Sequence, residues 1–423
     1  MSLRSLFADT APLKSAPFRR LWSANIVTVI GSQITVVVVP AQIYSITESS
    51  TDVGLTGLFG LVPLVVFGLW GGALADRFDR RKMMLTTTWG LIATSVLFFL
   101  LAFAEVNNVW ALLIVFGVQQ AFFAANQPTR NALLPKIVPN EHLAAATTLN
   151  MTVMTFGAIA GPLIGGALLP VLGYSWLYLI DACSMLFTLY AVFRLPPLPV
   201  ENPSGSIGLR AVIDGFKYLA WHKVLLVSFA ADLIAMGFGQ PRALYPEVAH
   251  VDFGGPATGG FEFGLLSAAM AVGAVLGGVF SGWVPKVRRQ GRAVILAVSI
   301  WGLAVVGMGV AVWFAELSPL VMLLLASFML ALGGAADMAS SAFRNVILLD
   351  AADDQVRGRL QGAFSVVVMG GPRIADVVHG YLGDVIGAAQ TILIGGVLVV
   401  ICIWALAALV PKFYAYIPSY KRL

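Results

Sequence analysis

The sequence predicts an all-α membrane protein: twelve transmembrane helices in two six-helix, pseudo-symmetric bundles. Three observations lead there. The chain of 423 residues is 59% hydrophobic and only 11% charged, with a mean hydropathy of +0.87, whereas a soluble domain carries about 25% charged residues. Apolar stretches of roughly 20 residues, enough to cross a bilayer at 1.5 Å rise per residue, recur to the end of the chain. The cations collect between alternate pairs of those stretches, as they do in proteins threaded repeatedly through a bilayer.

Residues 1–20 form a polar tail that ends in Phe18-Arg19-Arg20. The first apolar stretch is long and lacks a small-residue cleavage site, so it reads as a retained span and not as a signal peptide. Spans are expected near 21–44, 53–75, 83–104, 109–133, 147–170 and 175–194, which makes 21–194 the first bundle. A cytoplasmic linker occupies 195–222. Its opening, Leu195-Pro-Pro-Leu-Pro199, cannot continue a helix. Leu209, Val212, Phe216 and Leu219 are spaced for a short amphipathic helix on the membrane surface. The second bundle, 223–411, has spans near 223–246, 261–284, 292–315, 319–343, 360–387 and 390–411, and 412–423 is a cytoplasmic tail.

Charge sets the orientation. With the N-terminus in the cytoplasm, 24 of the 26 Lys and Arg residues fall on the cytoplasmic side, and only Arg242 and Arg373 are left over. The positive-inside rule therefore places both termini in the cytoplasm. The halves echo each other as well. Thr129-Arg130-Asn131-Ala-Leu-Leu134 closes the fourth span and Phe343-Arg344-Asn345-Val-Ile-Leu348 closes the tenth. Gly71-Gly-Ala-Leu74 and Gly277-Gly-Val-Phe280 sit near the ends of the second and eighth. Such a repeat predicts a midplane site between two related bundles.

Several function classes find no support. Cys183 and Cys402 lie in apolar stretches and form no disulfide framework. His142, His222, His250 and His379 lack metal-ligand spacing, so no metal or other cofactor is expected. There is no Gly-x-x-x-x-Gly-Lys-[Ser/Thr] loop for ATP and no enzyme constellation. The basic loops are explained by topology and predict no nucleic-acid partner.

Three groups of residues carry mechanism. The first is the loop Gly72-Ala-Leu-Ala-Asp76-Arg77-Phe-Asp79-Arg80-Arg81-Lys82. It resembles the signature between helices 2 and 3 of the major facilitator superfamily, with Asp79 where glycine is usual. The resemblance implies a cytoplasmic latch: Asp76 caps a helix of the other half, and Arg77, with Arg80, joins a charge relay. A carboxylate at a helix N-terminus gains about 0.3–1 kcal/mol. The alternative is a solvated loop that only fixes topology. The matching loop of the second half keeps its cations but has no counterpart of Asp76, so the latch is one-sided.

The second is Gly157-Ala-Ile-Ala-Gly161-Pro162-Leu-Ile-Gly165-Gly166 in the fifth span. Gly157, Gly161 and Gly165 share a helix face that lets another helix approach. The run resembles the Gly-x-x-x-Gly-Pro-x-x-Gly-Gly signature of antiporters in that superfamily, which implies export. Ordinary close packing is the other reading.

The third is the set of polar residues inside spans, which are functional candidates by default. Asp232 has no cation within two turns of its own helix, so it is a proton-carrier candidate; a hydrogen-bonded carboxylate is the alternative. Arg373 and Asp376 are one turn apart and are expected to pair, with Arg373 also a candidate for holding an anionic substrate. His379 continues that face, and both it and Asp376 are proton-coupling candidates. Asp337 and Arg344 are two turns apart and are expected to pair. Gln33, Asn126 and Gln127 are cavity candidates in spans 1 and 4, with polar helix contacts as the competing reading. Asp181, in the sixth span, is given no role.

Beyond the superfamily, the chain resembles the bacterial enterobactin-exporter-like branch, which includes macrolide and multidrug efflux relatives. The match rests on Asp76 to Lys82, on Arg242-Ala-Leu-Tyr-Pro246, on Gly358-Arg-Leu-Gln-Gly362, and on Gly370-Gly-Pro-Arg373-Ile-Ala-Asp376. It implies a major facilitator fold in the bacterial inner membrane. It also implies a monomeric, proton-coupled antiporter that exports a small organic molecule, such as a siderophore, by alternating access. A drug, macrolide or lipid exporter is the alternative within transport, and a non-transporting sensor or scaffold the alternative outside it.

Overall fold

The computed structural model describes residues 9–75, 78–196, 217–219, 221–351 and 357–419. Among them there are helices and no strands. Ten helical stretches are long and apolar enough to cross a membrane. The first four helices are α1 (Ala16–Thr47), α2 (Ser50–Ala75), α3 (Arg80–Phe103) and α4 (Val109–Ile137). The run Leu143–Phe193 comes next and is broken at Gly173. We treat its limbs as α5 (143–172) and α6 (174–193). The turn between them needs one residue because Gly173 takes φ +75°, which a side chain would resist.

The second half of the chain forms α7 (Lys223–Gly239), α8 (Phe261–Val279), α9 (Gln290–Trp313), α10 (Pro319–Ala351), α11 (Arg357–Ile386) and α12 (Ala388–Leu409). In this half, three boundaries differ from expectation by five residues or more. Hydropathy carries the seventh span to 246, but α7 stops at Gly239. Pro241 removes a backbone donor and forces Gln240 out of helical geometry (φ −124°, ψ 79°). A 3-10 turn Arg242–Leu244, one helical turn Tyr245–Glu247 and a π turn Val248–Asp252 continue the path. α8 likewise ends early and passes into the 3-10 segment Ser281–Lys286. α10 instead runs two turns beyond its expected end, which puts Arg344 inside the helix, 3% exposed.

The chain folds as two compact units, Met1–Gln42 with Val62–Gly208, and Ile43–Leu61 with Leu209–Leu423. The tip of the α1–α2 hairpin thus packs with the second unit. In the first unit, Phe18, Leu21, Met84, Leu133, Leu149 and Val192 form a core that gathers α1, α3, α4, α5 and α6. In the second, Trp301 is 1% exposed and donates its indole N–H to Ala235 O at 3.0 Å. Leu219 from the linker is buried against Leu225, Phe229 and Leu348, so this member of the expected amphipathic face packs on helices. Leu209, Val212 and Phe216 lie outside the described residues.

Candidate functional site

Asp76 and Arg77, the expected latch residues, lie outside the described residues. The structure does describe the loop from Phe78 onward. Asp79, the departure from the family signature, is the N-cap of α3 and accepts from Lys82 N–H at 3.0 Å. An acid is a strong N-cap and glycine a weaker one, so the substitution has a local reason. Arg80 opens α3. Arg81 donates to Phe193 O at 2.7 Å, with its guanidinium 5.5 Å from that residue's ring, and ties the start of α3 to the end of α6.

The glycine face of α5 packs against α1. A Cβ at Gly157 would collide with Val29 and one at Gly161 with Gln33, while Gly165 meets Ile34 at ordinary contact distance. Pro162 and Gly166 are buried in the same helix. Gln33, a cavity candidate, therefore rests its stem on Gly161. Asn126 is buried and donates to Thr87 Oγ1 at 2.7 Å, joining α4 to α3. Gln127, beside it on α4, is half-buried.

Asp181, to which the sequence assigns no role, is fully buried at the centre of a polar network. Thr35 on α1 and Ser95 on α3 each donate to its Oδ2 at 2.8 Å, and Gln119 on α4 donates to Ser95 at 3.3 Å. Its other oxygen has no hydrogen-bond partner. Here a carboxyl is held by neutral donors from two neighbouring helices.

The second unit holds its buried carboxylates with arginine. Asp232 on α7 pairs with Arg344 on α10, and both side chains are under 5% exposed. Arg344 also reaches Asp337 at 3.6 Å, the pairing expected from sequence. The lack of a counter-ion for Asp232 holds only along its own helix; α10 supplies the cation. The pair is incompletely satisfied, with Asp232 Oδ2 and Arg344 Nε lacking hydrogen bonds.

Asp376 is a second correction. Its Oδ2 accepts from Arg242 at 3.1 Å, in place of the expected pair with Arg373, and its Oδ1 is buried without a partner. The 3-10 turn that follows the break places Arg242 against α11. Arg373 remains an electrostatic neighbour of both groups. One turn on, His379 is 3% exposed. Its Nδ1 lies 3.3 Å from Gln240 O and its Nε2 3.1 Å from Phe238 O.

Beyond this cluster, α11 grips the hairpin tip. Asp384 accepts from Ser49 Oγ at 2.6 Å, Ser50 N–H at 2.8 Å and Thr51 N–H at 3.0 Å, capping the N-terminus of α2. Ser50 Oγ donates to Glu247 at 2.5 Å. Gly54, Gly57 and Gly380 bring the two backbones into direct contact. The run Ser49-Ser50-Thr51-Asp52 reads as a helix start, but a partner 334 residues away leaves no trace in sequence.

A groove of about 600 Å³ between α8, α9 and α10 contains none of the predicted site residues. Phe280, Trp283, Leu296 and Phe343 line it, with Arg289 and Arg292 among the lining residues.

The model of a family described as transmembrane secretion effectors, of the major facilitator type, matches residues 7–419. The chain is 28% identical over 386 residues to the enterobactin exporter EntS of Shigella boydii serotype 18, covering 90% of this chain and 89% of that protein. EntS of Escherichia coli O81 gives the same values. Among solved structures, the nucleoside transporter NupG superposes with a TM-score of 0.74 at 13% identity, covering 95% of this chain and 99% of that one. A bacterial homologue of the iron transporter ferroportin superposes with a TM-score of 0.68 at 15% identity, covering 93% and 99%. These structures speak for the fold.

Proposed function

The chain belongs to the transmembrane secretion effector family of major facilitator transporters, and from that premise we propose that it is a proton-coupled exporter of a small organic molecule of the siderophore class. It is a membrane transporter and not an enzyme. The observation that carries export is the similarity over 90% of its length to proteins named as enterobactin exporters. The glycine face of α5 against α1 supports the same direction.

In this reading, two six-helix halves, 21–194 and 223–411, alternately open a central site to each side of the bilayer. Protons entering the cell drive substrate out. Both termini are cytoplasmic, as the cation distribution favours. Arg373 and Arg242, near Asp376, offer positive charge to an acidic or phenolic substrate. Asp76, with Arg77 and Arg80, acts in gating.

The test uses inside-out membrane vesicles containing the protein. With an acid lumen, enterobactin is expected to accumulate inside, and a protonophore is expected to abolish the accumulation. Accumulation indifferent to the proton gradient would remove the coupling. No accumulation at all would remove this substrate class.

A further inference from the structure

We propose that His379 is the proton-binding site of this transporter, and that its protonation closes the break at the end of α7. The proposal rests on the exporter reading for its role in transport. It rests on geometry for its chemistry.

A neutral imidazole has one N–H and one bare nitrogen. Both ring nitrogens of His379 face backbone carbonyl oxygens, Nδ1 toward Gln240 and Nε2 toward Phe238. A carbonyl oxygen only accepts, so both contacts are hydrogen bonds only when the ring carries two protons. In the neutral ring, the shorter contact to Phe238 O keeps the N–H, and a nitrogen lone pair then opposes Gln240 O. An added proton converts that opposition into a second bond.

The two carbonyls are not ordinary helix groups. They straddle the point where α7 ends, at Gly239, and where Pro241 supplies no donor. The last carbonyls of a helix have no intrahelical partner and carry the negative end of its dipole, so a cation is favoured there. The surroundings agree. Asp376 lies one turn away on the same face, paired with Arg242 through one oxygen while its other is buried and open. Arg373 on α11 and Tyr245 beyond the break lie in the electrostatic neighbourhood of Asp376. α12 presents Gly395, where a Cβ would stand 3.5 Å from Nε2. α2 presents Gly57 to the backbone of Arg373 and to the Asp376 side chain, and Gly54 to the Asp376 backbone.

The consequence is mechanical. α11 grips both sides of the break, through His379 before it and through Asp376 and Arg242 after it. Protonated His379 makes two bonds to α7 and holds the broken end against α11. Deprotonated, it keeps one and turns a nitrogen lone pair toward Gln240 O, which then accepts only from Arg242 N–H at 3.0 Å, and that opposition favours movement of the segment. Proton uptake and release thereby set the position of the chain from Phe238 to Arg242.

Two measurements decide it. In the first, the full chain keeps His379 as its sole histidine through His142→Gln, His222→Gln and His250→Gln. It is labelled with 15N-histidine and followed by NMR in nanodiscs from about pH 5 to pH 8. The expected result is conversion between a doubly protonated ring with both nitrogens hydrogen-bonded and a neutral ring with one. A ring that stays neutral throughout, or one that stays charged throughout, overturns the proposal. In the second, His379→Gln is placed in the same inside-out vesicles and is expected to lose gradient-driven enterobactin accumulation. If the unsubstituted protein accumulates enterobactin and His379→Gln retains the gradient dependence, His379 is not the coupling site and export stands. If the unsubstituted protein accumulates none, export of this substrate fails, and the NMR titration still decides whether His379 binds the proton.

Discussion

Arg130 and Arg344 hold the same place in two echoing sequences and meet different surroundings. Arg344, inside α10, reaches Asp232 and Asp337. Arg130, inside α4, lines a small cavity with Phe18, Leu21, Trp22 and Asn150. Among the described residues no carboxylate pairs with it. The buried carboxylate of the first unit, Asp181, is held instead by the hydroxyls of Thr35 and Ser95. Each unit therefore contains a buried acid and an arginine, but among the described residues the pair is joined in the second unit and not between Asp181 and Arg130 in the first.

The comparison breaks most readily at Arg344. Replacing one partner of a buried ion pair typically costs about 3–5 kcal/mol, because the other charge is left without compensation. Arg344→Leu is expected to lower the unfolding free energy of the detergent-purified protein by that order in a denaturation experiment. The double replacement Asp232→Leu with Arg344→Leu should recover most of the loss, since apolar packing can stand in for a buried pair. A double variant as unstable as the single one would show that Arg344 acts chiefly through Asp337.

In the first unit, Thr35→Val removes one of two donors to Asp181. The expected loss is about 1–3 kcal/mol, read by the same denaturation, and Asp181→Asn in that background should reduce it. Arg130→Leu should have the smallest effect, between about 0 and 1 kcal/mol and in the stabilising direction, because it removes a cation with no fixed partner from a largely apolar site. A loss as large as that of Arg344→Leu would mean that Arg130 has a strong partner and that the two units are alike after all.

Much of the architecture is legible in sequence, and the reasons are local. Segment length and hydropathy locate the helices because a bilayer imposes one span length on all of them. Pro241 marks the end of α7, but apolar residues beyond it outweigh the proline and draw the span too long. The site is less legible. Asp232 looks uncompensated because Arg344 lies 112 residues away, and Asp376 is matched to Arg373 because Arg242 lies 134 away. Helix periodicity shows which face a residue occupies and not which helix that face meets. Asp181 is given no role because it sits in the sixth span, and its donors from α1 and α3 leave no local trace to correct that. Arg242 does leave a signal: it is one of the two cations that topology cannot use.

The cap at Asp79 bears on how the protein is made. It is closed within three residues, by Lys82 N–H, so the first turn of α3 is specified as soon as that segment leaves the ribosome. The tie from Arg81 to Phe193 spans 112 residues, and at about 5–20 residues per second it forms on the order of 10 seconds later. During that interval the start of the helix rests on its local cap at Asp79. An acid at this position gives the first turn of α3 a cap that needs no residue translated after Lys82.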